Sequence, residues 1–199
     1  MEKAIFLDKD GTLIPDIPYN ADSGLISLNE FASEALHNLK QAGYKLIVIS
    51  NQSGIAKGFF PFEALDGINK QINELLRPFN IEIDAFFYCP HFAGGTVPEY
   101  SVDCDCRKPK TGLFEKASSV FNIDLSASWM IGDILNDCEA GNAAGCRTIL
   151  IENGNETEWE LTVNREPDFI VTDLLEAASI ILSFEIGNQM YEPVRRLKK

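Results

Sequence analysis

The sequence predicts an α/β fold, a parallel sheet covered by helices on both faces. Short and nearly continuous apolar runs, typical of strands buried on both sides, alternate along the chain with segments of helical spacing. This alternation favours parallel strands, because parallel neighbours need a long crossover connection that is usually a helix. Several apolar runs end in Asp, Ser or Asn, at the strand ends where open α/β sheets bind ligands.

The predicted elements follow one another in a three-layer, Rossmann-like order. The strands are expected at Ala4–Leu7, Tyr44–Ile49, Ala85–Tyr88, Ser128–Ile131, Thr148–Ile151 and Phe169–Val171. The helices are expected at Phe31–Ala42, Phe62–Leu76, Leu113–Phe121, Asp137–Ala144 and Leu174–Ser183. In the first of these helices the apolar residues recur at helical spacing, and Gly43 beyond its end suits a left-handed cap.

Composition and charge limit the partners of the chain. Its 199 residues predict one domain at 1–184, followed by a C-terminal tail at 185–199. The net charge of −13 argues against nucleic acid or an anionic membrane as a partner, since both bind basic surfaces. The N-terminal residues lead directly into a strand, and no apolar run reaches the length of a membrane helix. We therefore expect a cytoplasmic protein without nucleic-acid or membrane partners, and we expect a monomer.

Polar side chains stand at the ends of three predicted strands. Asp8 and Asp10 follow the first strand, Ser50 follows the second and Asp133 follows the fourth. Two like charges at one strand end are costly unless a cation or a proton compensates them, and carboxylate oxygens are the ligands that Mg²⁺ prefers. Each end alone could also be a turn or a helix cap, and Asp137 is expected to cap the helix that it begins.

A basic segment precedes the helix predicted at Leu113–Phe121. Three cations, Arg107, Lys108 and Lys110, stand within four residues. A guanidinium fork and an ammonium group suit the oxygens of a phosphate. A solvated basic loop would show the same pattern, so this segment does not decide between the two interpretations.

Residues 89–106, here called the cysteine loop, carry the strongest metal signal in the chain. Cys89 and His91 are followed, after twelve intervening residues, by Cys104 and Cys106. Four such ligands suit a closed tetrahedral Zn²⁺ site of the structural type. A metal clip would also explain how a long irregular loop is held, because closing it costs chain entropy.

These motifs together resemble the haloacid dehalogenase superfamily of phosphatases. The matching segments, which follow the order of the superfamily, are Asp8-Lys9-Asp10-Gly11-Thr12, Ser50-Asn51, Lys108, and Gly132-Asp133 with Asp137. The stretch Asn51–Gly58 and the cysteine loop are similar to its zinc-containing branch, which acts on heptose bisphosphate or histidinol phosphate. The resemblance covers the chain from about Ala4 to Leu182.

The resemblance implies a phosphatase that works through an aspartyl-phosphate and uses Mg²⁺ and a structural Zn²⁺. It implies that Asp8 is the nucleophile, that Asp10 is the general acid and base, and that Lys108 is a catalytic cation. The implied substrate-binding residues are Ser50, Asn51 and Arg107. The implied magnesium ligands are Asp8, the main-chain carbonyl of Asp10, and Asp133. A minimal cap is expected, because the intervals that carry larger caps in the superfamily are short here.

The implied substrate is a small phosphorylated sugar, D-glycero-D-manno-heptose 1,7-bisphosphate, which would yield the heptose 1-phosphate. Lys9 and Ile134 replace the Arg and Lys that are usual in the heptose enzymes, and residues 15–20 match neither branch member well. Histidinol phosphate therefore remains an alternative, for which Asp16, Glu99 and Asp103 could form an acidic rim. A different class of protein is also an alternative, a binding module that has the zinc loop and no catalytic activity. The presence of every catalytic residue of the superfamily argues against it.

Overall fold

In the computed structural model, which describes residues 1–185 and 187, six parallel strands form one sheet. The strands are β1 (Ala4–Leu7), β2 (Lys45–Asn51), β3 (Ala85–Cys89), β4 (Trp129–Gly132), β5 (Arg147–Ile151) and β6 (Phe169–Val171). Their order across the sheet is β3-β2-β1-β4-β5-β6. The chain thus builds outward from β1 in both directions, which places the switch point of the sheet between β1 and β4.

Helices connect the strands and cover the sheet. They are α1 (Ala32–Gln41), α2 (Ser53–Ala56), α3 (Ala64–Leu76), α4 (Gly112–Phe121), α5 (Leu135–Ala144) and α6 (Leu174–Glu185). Short 3₁₀ helices occur at Ser23–Leu25, Arg77–Phe79 and Leu125–Ala127. Within the described residues, none of the helices has the length and hydropathy of a membrane span.

Alternate residues of the central strands pack into two different hydrophobic layers. Ile5 and Leu7 belong to a large cluster that also holds the apolar residues of α1, α3 and α6. Phe6 and Ile47 face a second cluster, which includes Phe114 of α4. Burial on both faces explains why the strands are almost entirely apolar, and it holds the strand ends rigidly at one edge of the sheet.

The predicted fold class and its strands and helices are confirmed. Helix α2 was not predicted, because four residues that include a glycine read as a turn. Asp137 does not occupy the cap position of α5: it is the third residue of the helix, and its Oδ2 accepts a hydrogen bond from the Ile134 amide at 3.4 Å. The predicted tail lies, apart from residues 185 and 187, outside the described residues.

Candidate active site

The ends of β1, β2 and β4 meet at one edge of the sheet and bring the predicted polar residues together. A cavity of about 370 Å³ opens at this edge. The residues that line it include Asp8, Asp10, Ser50, Asn51, Arg107, Lys108, Asp133 and Asp137. Every residue predicted to act on a substrate or to bind magnesium therefore faces one pocket, here called the central pocket.

A tight turn after β1 sets the positions of Asp8 and Asp10. The Leu13 and Ile14 amides both donate to the Lys9 carbonyl, at 3.0 Å each. Gly11 has a φ of +81°, and a Cβ at this position would lie 1.9 Å from Asp133 Oδ2. Glycine is therefore required both by the backbone conformation and by the close approach of the turn to the end of β4.

Lys108 is the buried cation of the pocket. Its Nζ donates to Asp8 Oδ1 at 2.6 Å and to the Ile49 carbonyl at 2.9 Å, and it lies 2.7 Å from Asp137 Oδ1. Its side chain is 2% exposed. Burial alone would lower the pKa of Lys108, but the carboxylates of Asp137 and Asp8 outweigh burial and raise it. Lys108 therefore stays charged and ties the loop before α4 to the ends of β1 and β2.

Three buried carboxylates cluster around this single lysine. Carboxylate oxygens of Asp8, Asp133 and Asp137 all lie within 4.8 Å of one another. Burial raises the pKa of Asp8 to about 8, with further contributions from the Asp137 and Asp133 charges, although Lys108 opposes the shift. Burial and the Asp137 carboxylate also raise the pKa of Asp133 to about 6. The cluster has more negative charge than Lys108 can balance, and such an oxygen donor set fits Mg²⁺.

Two contacts outside the predicted set orient Asp133. Asn155 Nδ2 donates to Asp133 Oδ2 at 2.7 Å, and Thr12 Oγ1 donates to Asp133 Oδ1 at 3.4 Å. Thr12 lies within the sequence motif after β1, but Asn155 follows β5 and has no local pattern that signals a contact with Asp133. These donors fix the carboxylate that the sequence predicts as a magnesium ligand.

The Asp10 carboxylate is not a member of the three-carboxylate cluster and has its own partners. Lys9 Nζ donates to Asp10 Oδ1 at 2.6 Å, and Gln52 Nε2 donates to Asp10 Oδ2 at 2.9 Å. The side chain of Lys9 is 1% exposed, whereas that of Asp10 is 28% exposed toward the pocket. Neither Lys9 nor Gln52 has a function predicted from the sequence, since each occurs only as part of a motif.

Asn51 makes its contacts with the main chain of Lys108. Its Nδ2 donates to the Lys108 carbonyl and its Oδ1 accepts from the Lys108 amide, both at 3.0 Å. This pair of hydrogen bonds fixes the backbone that carries the buried lysine. Asn51 lines the pocket, but its amide group already has partners, so the geometry favours a positioning contribution, and the substrate contact stays a prediction.

The four predicted zinc ligands come together at the end of β3. One ligand atom from each of Cys89, His91, Cys104 and Cys106 lies within 4.8 Å of the others. The three Sγ–Sγ separations run from 2.9 to 3.5 Å, and His91 Nδ1 lies 3.2 Å from Cys106 Sγ. These separations are shorter than the edges of roughly 3.8 Å in a zinc tetrahedron with Zn–S bonds of ~2.3 Å. It is the chemistry of the donor set, three thiols and one imidazole nitrogen, that fits a structural Zn²⁺ site.

Arg107 joins the cysteine loop to the central pocket. Its NH1 donates to the His91 carbonyl at 3.4 Å, and its guanidinium lies 5.4 Å from the centre of the Phe92 ring. Lys57 lies 5.0 Å from the centre of the same ring and donates to the Tyr19 hydroxyl at 2.5 Å. These contacts connect the cysteine loop to residues 17–20, which also line the pocket.

Known proteins are similar to this chain in sequence and in fold. The HAD-hydrolase-like family model matches residues 105–177. The chain is 40% identical over 155 residues to D-glycero-beta-D-manno-heptose-1,7-bisphosphate 7-phosphatase of Pasteurella multocida strain Pm70, which covers 77% of this chain and 84% of that relative. The chain belongs to the haloacid dehalogenase-like phosphatase family. It is therefore a phosphoric monoester hydrolase.

Two further proteins are similar to this phosphatase, one by sequence and one by fold. The enzyme of that name from Salmonella typhi is 34% identical over 179 residues, which are 89% of this chain and 94% of the relative. A crystal structure of D,D-heptose 1,7-bisphosphate phosphatase from B. bronchiseptica, in complex with magnesium and phosphate, superposes with a TM-score of 0.78. That protein is 27% identical, and the match covers 92% of this phosphatase and 99% of that chain.

Proposed function

We propose that this phosphatase removes the 7-phosphate of D-glycero-β-D-manno-heptose 1,7-bisphosphate and leaves the heptose 1-phosphate. The observation that carries the proposal is the position of Arg107 in the same pocket as the Asp8–Lys108 pair. One phosphate would react beside Asp8, while the guanidinium would bind the second phosphate through its planar fork. The names of the Pasteurella and Salmonella relatives support the same substrate.

The proposed reaction uses Asp8 and Asp10 in two steps. An oxygen of Asp8 attacks phosphorus, the bond from phosphorus to the sugar oxygen breaks, and the protonated carboxyl of Asp10 gives its proton to that oxygen. In the second step Asp10 takes a proton from water, the water oxygen attacks phosphorus, and the bond between phosphorus and Asp8 breaks. The products are the sugar alcohol and inorganic phosphate, and Asp8 and Asp10 return to their starting states.

The remaining pocket residues hold the phosphoryl group and its charge. We propose that Ser50 and Lys108 bind the transferring oxygens and that Asn51 positions Lys108. Asp8, Asp133 and Asp137 would hold Mg²⁺, together with the main-chain carbonyl of Asp10, as the donor chemistry suggests. The ion would supply positive charge that offsets the repulsion between the nucleophile and the phosphate.

The histidinol-phosphate alternative has weaker support in the geometry. Among the three acidic residues that could form its rim, Asp16 lines the central pocket. Asp103 instead pairs with Lys110 at 2.9 Å on the exposed surface of the cysteine loop, and Glu99 is not among the residues that line the pocket in the described chain. A pocket with Arg107 and one acidic rim residue favours a second phosphate over an imidazole cation.

Substitution of Arg107 tests the substrate proposal. Arg107→Ala should lower kcat/KM for the heptose bisphosphate about 10- to 100-fold, since a hydrogen-bonded charge on the second phosphate is lost. The efficiency on a small monophosphate should change less than about threefold, because that substrate has no second phosphate to bind. The measurement is the ratio of the two efficiencies in each variant.

Lys110→Ala is the matched control for that experiment. Lys110 is a cation of the same loop, and it contacts Asp103 and the Cys104 carbonyl instead of the pocket. Its removal should leave the ratio unchanged. Two results would contradict the heptose assignment and leave the phosphatase assignment in place. One is a preference of the unmodified enzyme for histidinol phosphate, and the other is the same ratio of efficiencies in Arg107→Ala as in Lys110→Ala.

We further propose that Zn²⁺ in the cysteine loop is structural. The cluster lies beside the pocket, and Cys106 directly precedes Arg107 and Lys108. A metal held at Cys89, His91, Cys104 and Cys106 would therefore fix the segment that carries both cations. Its effect on the reaction would be indirect.

Loss of one zinc ligand should remove the metal and lower stability, with a smaller effect on the chemical step. Cys104→Ser is expected to lose the one Zn²⁺ per chain that elemental analysis should find, to lower Tm, and to raise KM more than it lowers kcat. Cys146→Ser is the control, because Cys146 is a buried cysteine of the second hydrophobic cluster and lies outside the ligand set. Unchanged zinc and Tm in Cys104→Ser would contradict the site.

The remaining proposals concern the whole molecule. We propose that residues 1–184 act as one phosphatase domain and that the enzyme works as a monomer in the cytoplasm on a small soluble substrate. The central pocket, at about 370 Å³, supports a sugar phosphate as the substrate. Sedimentation of the purified enzyme would test the monomer, and activity of a chain that ends at residue 184 would test the domain.

A further inference from the structure

We propose that Gln52 is a positioning residue that holds the general acid and the phosphate-binding hydroxyl of this phosphatase in one arrangement. The inference rests on the function proposed above for Asp10. It concerns a side chain that lines the central pocket and has no part in the two chemical steps described for Asp8 and Asp10. Its effect would be on the orientation of Asp10 and Ser50.

A single amide group joins the two residues. Gln52 Nε2 donates to Asp10 Oδ2 at 2.9 Å and to Ser50 Oγ at 3.0 Å. A carboxylate oxygen only accepts, so the nitrogen of the amide must face Asp10 and its two hydrogens serve the two partners. Gln52 is 6% exposed, and these contacts compensate the cost of burying its NH₂ group.

The main chain of Gln52 is anchored independently of its side chain. Its amide donates to the Cys89 carbonyl at 2.8 Å, at the residue where β3 enters the cysteine loop. Its carbonyl accepts from the Ile55 amide at 3.2 Å, within the turn that begins α2. Because the backbone is fixed at both sides, replacing the side chain should leave the position of the backbone unchanged.

The two contacts of the Asp10 carboxylate differ in charge. Lys9 Nζ donates to Oδ1 at 2.6 Å as a cation, while Gln52 donates to Oδ2 as a neutral amide. A neutral donor orients the Oδ2 atom without adding a second cation beside the carboxyl group. Asp10 can then bring its proton to the leaving sugar oxygen as the phosphorus–oxygen bond breaks.

The contact with Ser50 has a complementary effect. Ser50 Oγ accepts from Gln52, which leaves the hydrogen of its own hydroxyl free to donate to a phosphoryl oxygen. Ser50 is 2% exposed, so solvent does not compete freely for this group. Gln52 would therefore set the distance between the acid that serves the leaving group and the hydroxyl that holds the phosphate.

Leaving-group dependence separates this effect from a structural one. A sugar phosphate has a poor leaving oxygen that needs a proton, whereas 4-nitrophenyl phosphate releases a stable anion that does not. The variants are compared by kcat/KM, because this constant depends on the steps from substrate binding to departure of the leaving group and not on the later hydrolysis of the phosphoryl-enzyme. Gln52→Leu should lower kcat/KM for the sugar phosphate about 10- to 100-fold more than for 4-nitrophenyl phosphate.

Two further variants calibrate the result. Asp10→Asn should show the same selectivity for the poor leaving group, and Ser50→Ala should lower both efficiencies to a similar extent because both substrates carry the phosphoryl group. Gln52→Met keeps the length of the side chain and removes the NH₂ donor without adding a charge beside Asp10. It is predicted to give the same selectivity as Gln52→Leu, and it serves as the test variant if Gln52→Leu does not fold.

The outcomes distinguish the two levels of the proposal. Equal losses on both substrates for the folded Gln52 variants, with selectivity retained in Asp10→Asn, would overturn the positioning role of Gln52 alone. Equal losses in Asp10→Asn as well would overturn the proposed general acid, and with it the basis of this inference. A larger loss on the sugar phosphate than on 4-nitrophenyl phosphate, in the Gln52 variants and in Asp10→Asn, supports Gln52 as a positioning residue.

Discussion

Asp8→Asn is expected to abolish turnover, with a loss of at least about 10⁴-fold, and to leave the fold intact. The amide cannot form the phosphoryl-enzyme bond, and the substitution also removes one of the carboxylates that would hold Mg²⁺. Lys108 keeps a partner, because its Nζ also lies 2.7 Å from Asp137 Oδ1. The buried cation is therefore not left without a counter-charge in this variant.

The same substitution should not lower the stability of the metal-free protein. Burial raises the pKa of Asp8 to about 8, so the charged carboxylate is disfavoured in the folded state at neutral pH. A carboxyl group whose pKa is raised by folding makes stability fall as pH rises from the unfolded value near 4 toward 8. Asparagine carries no charge and removes this loss, so Tm at pH 7 should equal or exceed that of the unmodified protein.

Two measurements check the prediction for Asp8. Initial rates with 4-nitrophenyl phosphate give the loss of turnover, and mass spectrometry after rapid quenching should find a phosphoryl group on Asp8 in the unmodified enzyme and none in Asp8→Asn. Asp10→Asn is the matched control, and should slow the reaction about 10²- to 10⁴-fold while Asp8 stays in place. An Asp8→Asn variant that keeps most of the phosphatase rate would contradict the covalent route.

Lys108→Met is expected to have the largest combined effect on stability and activity. It removes the lysine that contacts Asp8 and Asp137, and leaves their buried carboxylates facing each other. Breaking a buried ion pair in this way typically costs about 3–5 kcal/mol of unfolding free energy. Loss of a charge that stabilises the transferring phosphoryl group should cost a further ~10²- to 10³-fold in kcat.

Magnesium should partly rescue the stability of this variant. If Asp8, Asp133 and Asp137 hold the ion, then added Mg²⁺ should raise Tm more in Lys108→Met than in the unmodified protein, since more negative charge is unbalanced. Lys110→Met removes an exposed lysine of the same segment, whose ion pair with Asp103 lies on the surface and is screened by solvent. Similar Tm values for the two lysine variants would contradict the buried ion pair.

The architecture could be predicted because its signals are local. Strands buried on both faces appear as continuous apolar runs, and the polar residues that end them must meet at one edge of a parallel sheet. Asp8, Ser50 and Asp133 could therefore be placed together before any contact was known. The Cys-x-His and Cys-x-Cys pairs were informative for the same reason, since each pair is short and the chemistry of four such ligands is specific.

The contacts that complete the pocket could not be predicted from local patterns. Gln52 and Asp10 are separated by 42 positions, and Asn155 and Asp133 by 22, so no periodicity links the partners. The short helix α2 was missed because its sequence, Ser53–Ala56, is too brief for a helical period. Asp137 was predicted as a cap because acidic residues are common there, whereas its contact with Lys108 joins two segments that are distant in the sequence.

Phosphorus NMR of the reaction with D-glycero-β-D-manno-heptose 1,7-bisphosphate tests the central claim most directly. The proposal predicts that the signal of the 7-phosphate disappears as inorganic phosphate forms, while the signal of the anomeric phosphate remains. The same sample with Asp8→Asn should show no change. Loss of the anomeric phosphate first, or faster release of phosphate from histidinol phosphate than from the bisphosphate, would contradict the account.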